Sequence, residues 1–314
     1  MRKTILISIL LIITAIIYYT GFYVAQPYGA SYNRVQNALA QYDSISAITL
    51  GNSHSGSIDW QSVEFPGKGY NLHDGFFDIF EMLYVAEVVI PKLTSVEYVF
   101  IAVPYYFFEF DNGAVDDTYQ NSFRQRTYFM APRMELINND WENYFMARVA
   151  PIARADHWKG VLAPPVLNLL DSIIIERPIV AGITSESYLK KHGQSRTDQN
   201  ERQSSEMTEG HPGLIEDAKQ SFTELLELFS ANKVTVILYT PPYHRYYNEH
   251  FDQEIIDRNQ QALDEILSAH TATYLDFSND KRFSTNDSLF TDSDHLNHIG
   301  KPRFTRVLFD SLGL

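Results

Sequence analysis

Two short segments, separated by most of the chain, hold the residue types that acyl-group chemistry needs. The first is Leu50-Gly51-Asn52-Ser53-His54-Ser55, where an apolar run gives way to polar residues. A serine hydroxyl is a weak nucleophile, so it needs a base within reach and donors for the oxyanion that forms on attack. Gly51 lets the chain bend sharply just ahead of it. The same residues would also suit a surface turn in which Asn52 or Ser53 caps a helix. The second segment is Phe290-Thr291-Asp292-Ser293-Asp294-His295-Leu296-Asn297-His298. Asp292 and His295 are three apart, a spacing that on a helical turn puts both on one side. A carboxylate there holds the imidazole in one tautomer and stabilises its cationic form, as a general base requires. Two other readings stand beside this one: a helix cap at a polar surface, and a metal site drawn from Asp292, Asp294, His295 and His298. The rest of the chain offers no convincing further ligand, so the expectation is no metal and no cofactor.

The elements that must position these residues follow an α/β pattern. Residues 44–50 read as a buried strand running straight into the first segment. A short strand is expected around Gly69 and Tyr70. Residues 75–90 carry apolar residues at helical spacing and stop at Pro91, and 96–103 form another buried strand. After an irregular middle, the stripe Ile215, Ala218, Phe222, Leu225, Leu226 and Phe229 predicts a helix. A strand over 234–240, a helix over 255–267 and a strand over 272–277 complete the pattern. Strands alternating with helices imply a parallel sheet covered on both faces, with functional groups beyond the carboxyl ends of the strands. Residues 184–212 are poor in apolar side chains and read as a long loop or a partly disordered stretch. Residues 161–183 are apolar but broken by prolines and charges, which suits a cover over a site better than a second membrane span.

The N-terminus carries an address. Arg2 and Lys3 precede an almost unbroken apolar run from Ile5 to about Ala25, and about 20 such residues match a bilayer core. With the cations kept inside, residues 1–25 form an anchor, 26–43 a juxtamembrane connector, and everything beyond lies outside the cytoplasm. A cleaved signal peptide is the rival, which would leave the domain secreted. The chain has no cysteine, so neither a disulfide framework nor a thiol nucleophile is available. Its formal net charge of −14 argues against nucleic acid and against broad docking on an anionic membrane surface. A neutral or cationic partner such as a glycan fits better.

Taken together, Gly51-Asn52-Ser53 after the first strand and Asp292-x-x-His295 near the C-terminus resemble the SGNH/GDSL-hydrolase superfamily. The resemblance implies one SGNH-like, flavodoxin-like α/β domain over 44–314, with an insertion at about 109–212 and a parallel sheet of about five strands. It implies Ser53 as nucleophile, His295 as base and Asp292 as its orienter. Ser53, Asn71 and Gly75 are the candidates for the oxyanion hole. Asn52 replaces the usual Asp, and the usual Gly-x-Asn-Asp block gives way to Pro104-Tyr105-Tyr106. The His-Ser after the nucleophile and the Leu-Asn after His295 are similar to anchored proteins of alginate O-acetylation and lipoteichoic-acid D-alanylation. That likeness implies an extracytoplasmic serine acyltransferase that moves an acetyl or other acyl group to or from a cell-envelope polysaccharide. A membrane-bound O-acyltransferase is the implied partner. An exported carbohydrate esterase or lipase, and a silent glycan-binding envelope protein, are the alternatives. Tyr105, Tyr106 and Tyr243, following two strand ends, are candidates to stack on sugar rings or else to fill the core. His244 and His54 are further candidates for substrate contact.

Overall fold

The computed structural model describes residues 5, 7–16, 30–75, 77–114, 141, 144 and 185–314. Five strands form one all-parallel sheet: β1 Ile45–Leu50, β2 Lys68–Asn71, β3 Tyr98–Ala102, β4 Thr235–Thr240 and β5 Thr273–Asp276. They lie in the order β2-β1-β3-β4-β5. The order reverses at β1, and in such sheets the crevice at the reversal, beyond the strand carboxyl ends, is where ligands sit.

Strand residues alternate faces, and the two faces carry separate cores. Ile48, Leu50, Val99, Ile101, Val236 and Leu238 point to one side. There they meet four helices: α1 Ala30–Leu39, α2 Ile79–Val89, α4 Leu214–Ala231 and α6 Gln253–Leu267. Ala47, Phe100, Ala102, Ile237 and Tyr239 point to the other, under the C-terminal helix α8 Gly300–Leu312. Phe100 and Phe309 stack there at 5.3 Å, and Trp60 meets both edge-on. Two short helices, α5 Arg245–Asn248 and α7 Lys281–Ser284, lie in the loops after β4 and β5.

One expectation is overturned. The stretch read as a loop or disordered segment contains α3, Glu186–Gly210, a helix of 25 residues capped by Ser185. Its inward stripe is Leu189, Gly193, Thr197, Asn200, Ser204 and Met207. That spacing is helical, but most of the residues are small or polar, so the stripe carries no apolar periodicity to read. Instead it packs by hydrogen bonding: Asn200 donates to the Tyr247 hydroxyl at 2.8 Å, and Ser204 donates to the buried Glu109 carboxylate.

Residues 7–16 form a helix whose Ile7, Leu10, Leu11 and Ile12 are exposed. Among the described residues no helix is long and apolar enough to cross a membrane. The rest of the expected anchor over 1–25 lies outside the described residues, as does the expected cover at 161–183.

Candidate active site

The segment after β1 is a tight 3-10 turn, Ser53–Ser57, built around its own polar side chains. Asn52 Oδ1 accepts from the His54 N–H at 3.1 Å, so Asn52 is the cap of the turn. Ser55 Oγ donates to the Leu50 carbonyl at 2.9 Å and accepts from the Ala102 N–H at 3.2 Å, which ties the turn to the end of β3. Gly51 takes φ +130°, and a Cβ there would meet Ser55 Oγ at 2.5 Å. Glycine is therefore required both for the backbone angle and for the staple. Gly56 faces the ring of His73, whose Nε2 would lie 2.9 Å from an added Cβ.

The second segment is not a helical turn. Residues 291–294 are bends, closed by an antiparallel bridge between Phe290 and Leu296. Asp292 Oδ1 accepts from the backbone N–H groups of Asp294 at 3.2 Å and His295 at 2.8 Å. This local bonding is a habit of Asp in turns, and it fixes the carboxylate where the helix expectation would also have put it. From there Asp292 meets His295 Nδ1 at 2.9 Å through Oδ1 and at 3.2 Å through Oδ2. On the other side of the ring, His295 Nε2 lies 2.8 Å from Ser53 Oγ. The three residues thus form a continuous hydroxyl–imidazole–carboxylate chain.

A second carboxylate stands behind this chain. Asp294 is buried, with one oxygen 3.5 Å from His295 Nδ1 and the other 3.4 Å from His54 Nε2. The latter oxygen also accepts from Arg196 Nε of α3 at 3.1 Å. Nearby on α3, His192 Nδ1 lies 2.9 Å from Ser293 Oγ. His54 is buried flat against His295, ring centroids 4.9 Å apart and 10° from parallel.

The electrostatics follow from these contacts. Burial alone would lower the His295 pKa, but the Asp294 charge, then the hydrogen bond that Nδ1 donates to Asp292 and its approach to Asp294, raise it to about 10. Asp294 is held well below the usual carboxylate range: burial opposes its ionisation, but the His295 charge first, then the close approach of both histidines and of Arg196, outweigh it. Burial lowers the pKa of His54 more than Asp294 raises it, so His54 is neutral.

The ligand atoms of His54, Asp294 and His295 lie within 4.8 Å of one another, as do those of His192, Asp292 and Asp294. A metal ion is poorly suited to either group. Both His295 nitrogens are engaged by Ser53 and Asp292, and a guanidinium already occupies Asp294.

A small cavity of about 20 Å³ opens beside Ser53 and His295, lined also by Gly56, Ser57, Pro241, Pro242 and Leu296. Lys301 borders it, its pKa lowered by burial. Asn71 and Gly75 do not line it: Asn71 Oδ1 accepts from Thr49 Oγ1 and Trp60 Nε1, both at 2.9 Å, and Gly75 is exposed. The aromatic candidates are also corrected. Tyr105, Tyr106 and Tyr243 are buried with Tyr247 and Phe251 in a third apolar cluster, and His244 is buried beside Asp287. Desolvated rings in ring-to-ring contact offer no free face to a sugar. Sequence reading missed Arg196 and His192 altogether; their one trace is an i, i+4 spacing on a helix that its polar composition hid.

No family model matches the chain, and no curated protein does. A solved structure described as "a putative platelet activating factor" from Streptococcus pneumonia is similar to it at 10% identity and a TM-score of 0.45. That match covers 89% of this chain and 91% of the other.

Proposed function

We propose that the chain is a serine acyltransferase of the SGNH type that carries an acyl group, acetyl in the first instance, on Ser53. The single observation that carries this reading is the Ser53–His295–Asp292 chain, with contacts of 2.8 and 2.9 Å.

The reaction begins when Ser53 Oγ attacks the ester carbonyl carbon and passes its proton to His295 Nε2. The Ser53 N–H, the first amide of a helical turn and without an intrahelical acceptor, is the proposed donor to the developing oxyanion. Collapse expels the alcohol, which leaves with the proton from Nε2, and the acyl group stays on Ser53. A sugar hydroxyl then attacks the acyl carbon and gives its proton to Nε2, which returns it to the departing Ser53 oxygen. Asp292 holds the Nδ1 proton throughout. His295 must be neutral to begin, and its proton is held to about 10. Acylation therefore speeds up with pH across the neutral and alkaline range.

The exposed Ile and Leu side chains of the helix over 7–16 are compatible with part of an anchor, and Arg2 and Lys3 ahead of it would keep the domain on the extracytoplasmic face. A cell-envelope polysaccharide would be the acceptor, and a membrane-bound O-acyltransferase would supply the acyl group.

The test is the intact mass of the full-length protein in detergent after exposure to p-nitrophenyl acetate. One acetyl adduct is expected, absent in Ser53→Ala and slower to form in His295→Ala. A folded parent with no adduct sinks the reading in favour of a silent envelope protein. With oligosaccharide added, new ester on the sugar marks a transferase, whereas free acetate alone marks an esterase.

A further inference from the structure

We infer that Arg196 is a positioning residue of this site: by holding the Asp294 carboxylate it restrains the second acid at His295 and so sets the basicity of the imidazole. The inference rests on the acyl-serine reading for its catalytic meaning, though not for its electrostatics.

Asp294 is one buried carboxylate shared by three nitrogen-bearing side chains. His295 Nδ1 lies 3.5 Å from Oδ1, while His54 Nε2 at 3.4 Å and Arg196 Nε at 3.1 Å share Oδ2. His54 is a poor partner for it. Neither His54 nitrogen makes a well-formed hydrogen bond, and its ring lies flat on the ring of His295, where a second positive charge would be repelled. The work of balancing Asp294 falls to Arg196. Without the guanidinium, the imidazole would face Asp294 with no fixed cation bonded to it, and the proton it already holds to about 10 would be held more tightly still.

The other groups packed around the pair do not replace it. His192 is turned to Ser293. Tyr106 and Tyr247, from the loop after β3 and from α5, have pKa values raised by burial and are neutral. Tyr243 is neutral for the same reason. Lys301 borders the same cavity, but the ion pairs of Asp294 are with His54, Arg196 and His295. Arg196 is thus the fixed cation bonded to the second acid, and it arrives on α3, a helix outside the sheet.

The alternative is that Arg196 simply glues α3 to the loop. The two differ in sign and in pH. Removing a nearby fixed positive charge raises the proton affinity of the Asp294–His295 pair wherever the proton resides. A merely packing residue would lower activity by one factor at every pH.

The experiment is a pH titration of the His295 ring by nitrogen NMR, on full-length protein in detergent micelles, beside acetylation rates of Ser53. Arg196→Gln is expected to move the His295 midpoint and the acylation limb up together by about one pH unit or more. Arg196→Lys should restore most of that shift, and Asp294→Asn should move both down. An unmoved midpoint in Arg196→Gln, with the rate depressed equally at all pH, overturns the inference. If Arg196→Gln does not fold, Asp294→Asn decides: a midpoint that fails to fall overturns it. A shifted midpoint on a chain that forms no acyl-serine would instead sink the acyl-transfer reading and leave the electrostatic coupling standing.

Discussion

His211 and His295 each sit between two carboxylates, yet the surroundings give them opposite uses. His211 Nδ1 meets the buried Asp111 at 2.8 Å and its Nε2 meets the exposed Asp217 at 2.7 Å. Both ring nitrogens point at acids, so the ring is a cationic staple joining the start of α4 to the loop after β3. Hydrogen bonding to Asp111 raises its pKa most, against a partial loss from burial. At His295 both carboxylates crowd Nδ1, and Nε2 is left to a serine hydroxyl. The difference teaches that two acids beside a histidine do not make a base. What makes one is a second nitrogen facing a group that can lose a proton.

The comparison can be broken most severely at the hydroxyl. Ser53→Ala should abolish the acetyl adduct, whereas His211→Asn should leave the acylation rate within about twofold, as expected for a residue far from the reacting atoms. Equal losses in the two variants would erase the distinction. The next effect is at the orienting acid. Asp292→Asn should slow acylation by about a hundredfold or more, read by stopped-flow release of p-nitrophenol. Asp294, 3.5 Å from the same nitrogen, is too long and poorly placed to substitute fully. A loss below about tenfold would make the two acids interchangeable.

A smaller effect is one of stability. Gly51→Ala should cost about 1–3 kcal/mol, since φ +130° and the Ser55 staple both resist a Cβ; urea unfolding measures it. The smallest concerns His211. Folding raises its pKa above the ordinary 6.5, so the folded state binds the proton more tightly than the unfolded chain does. The resulting stabilisation is complete below about 6.5 and fades as pH rises through the raised folded value. His211→Asn should therefore cost about 1 kcal/mol at pH 6, because the pair is half open to solvent and screened. It should cost little at pH 10. A loss that grew with pH would reverse the assignment.

What the sequence revealed, and what it hid, follows from what each feature depends on. The three central strands are largely apolar runs such as Val236-Ile237-Leu238, legible because both their faces are buried, whereas the edge strands Lys68–Asn71 and Thr273–Asp276 are short, partly exposed and more polar. Ser53, Asp292 and His295 were legible only jointly: either segment alone also suits a capped surface turn, and it was the pair, in order and at the two ends of one domain, that carried the resemblance. Asp292 was found through a helical spacing that the structure replaces with a bend, and only the short separation mattered. α3 was illegible because its inward face is Gly193, Thr197, Asn200 and Ser204, which satisfy hydrogen bonds rather than bury oil. With α3 hidden, so was Arg196. The tyrosines were visible as a cluster, but whether a ring faces water or other rings depends on neighbours from three separate loops.

Ser53 and His295 meet across 242 positions of sequence. Bringing such distant segments together costs loop-closure entropy before any contact rewards it. On refolding, the hydroxyl–imidazole contact should be among the last to form, and acylating competence should lag the return of helical circular dichroism. During synthesis the order is stricter still. A nascent chain that has emerged only as far as β5 has all five strands and the nucleophile but no base, so it stays chemically inert until the bend that carries His295 has been made.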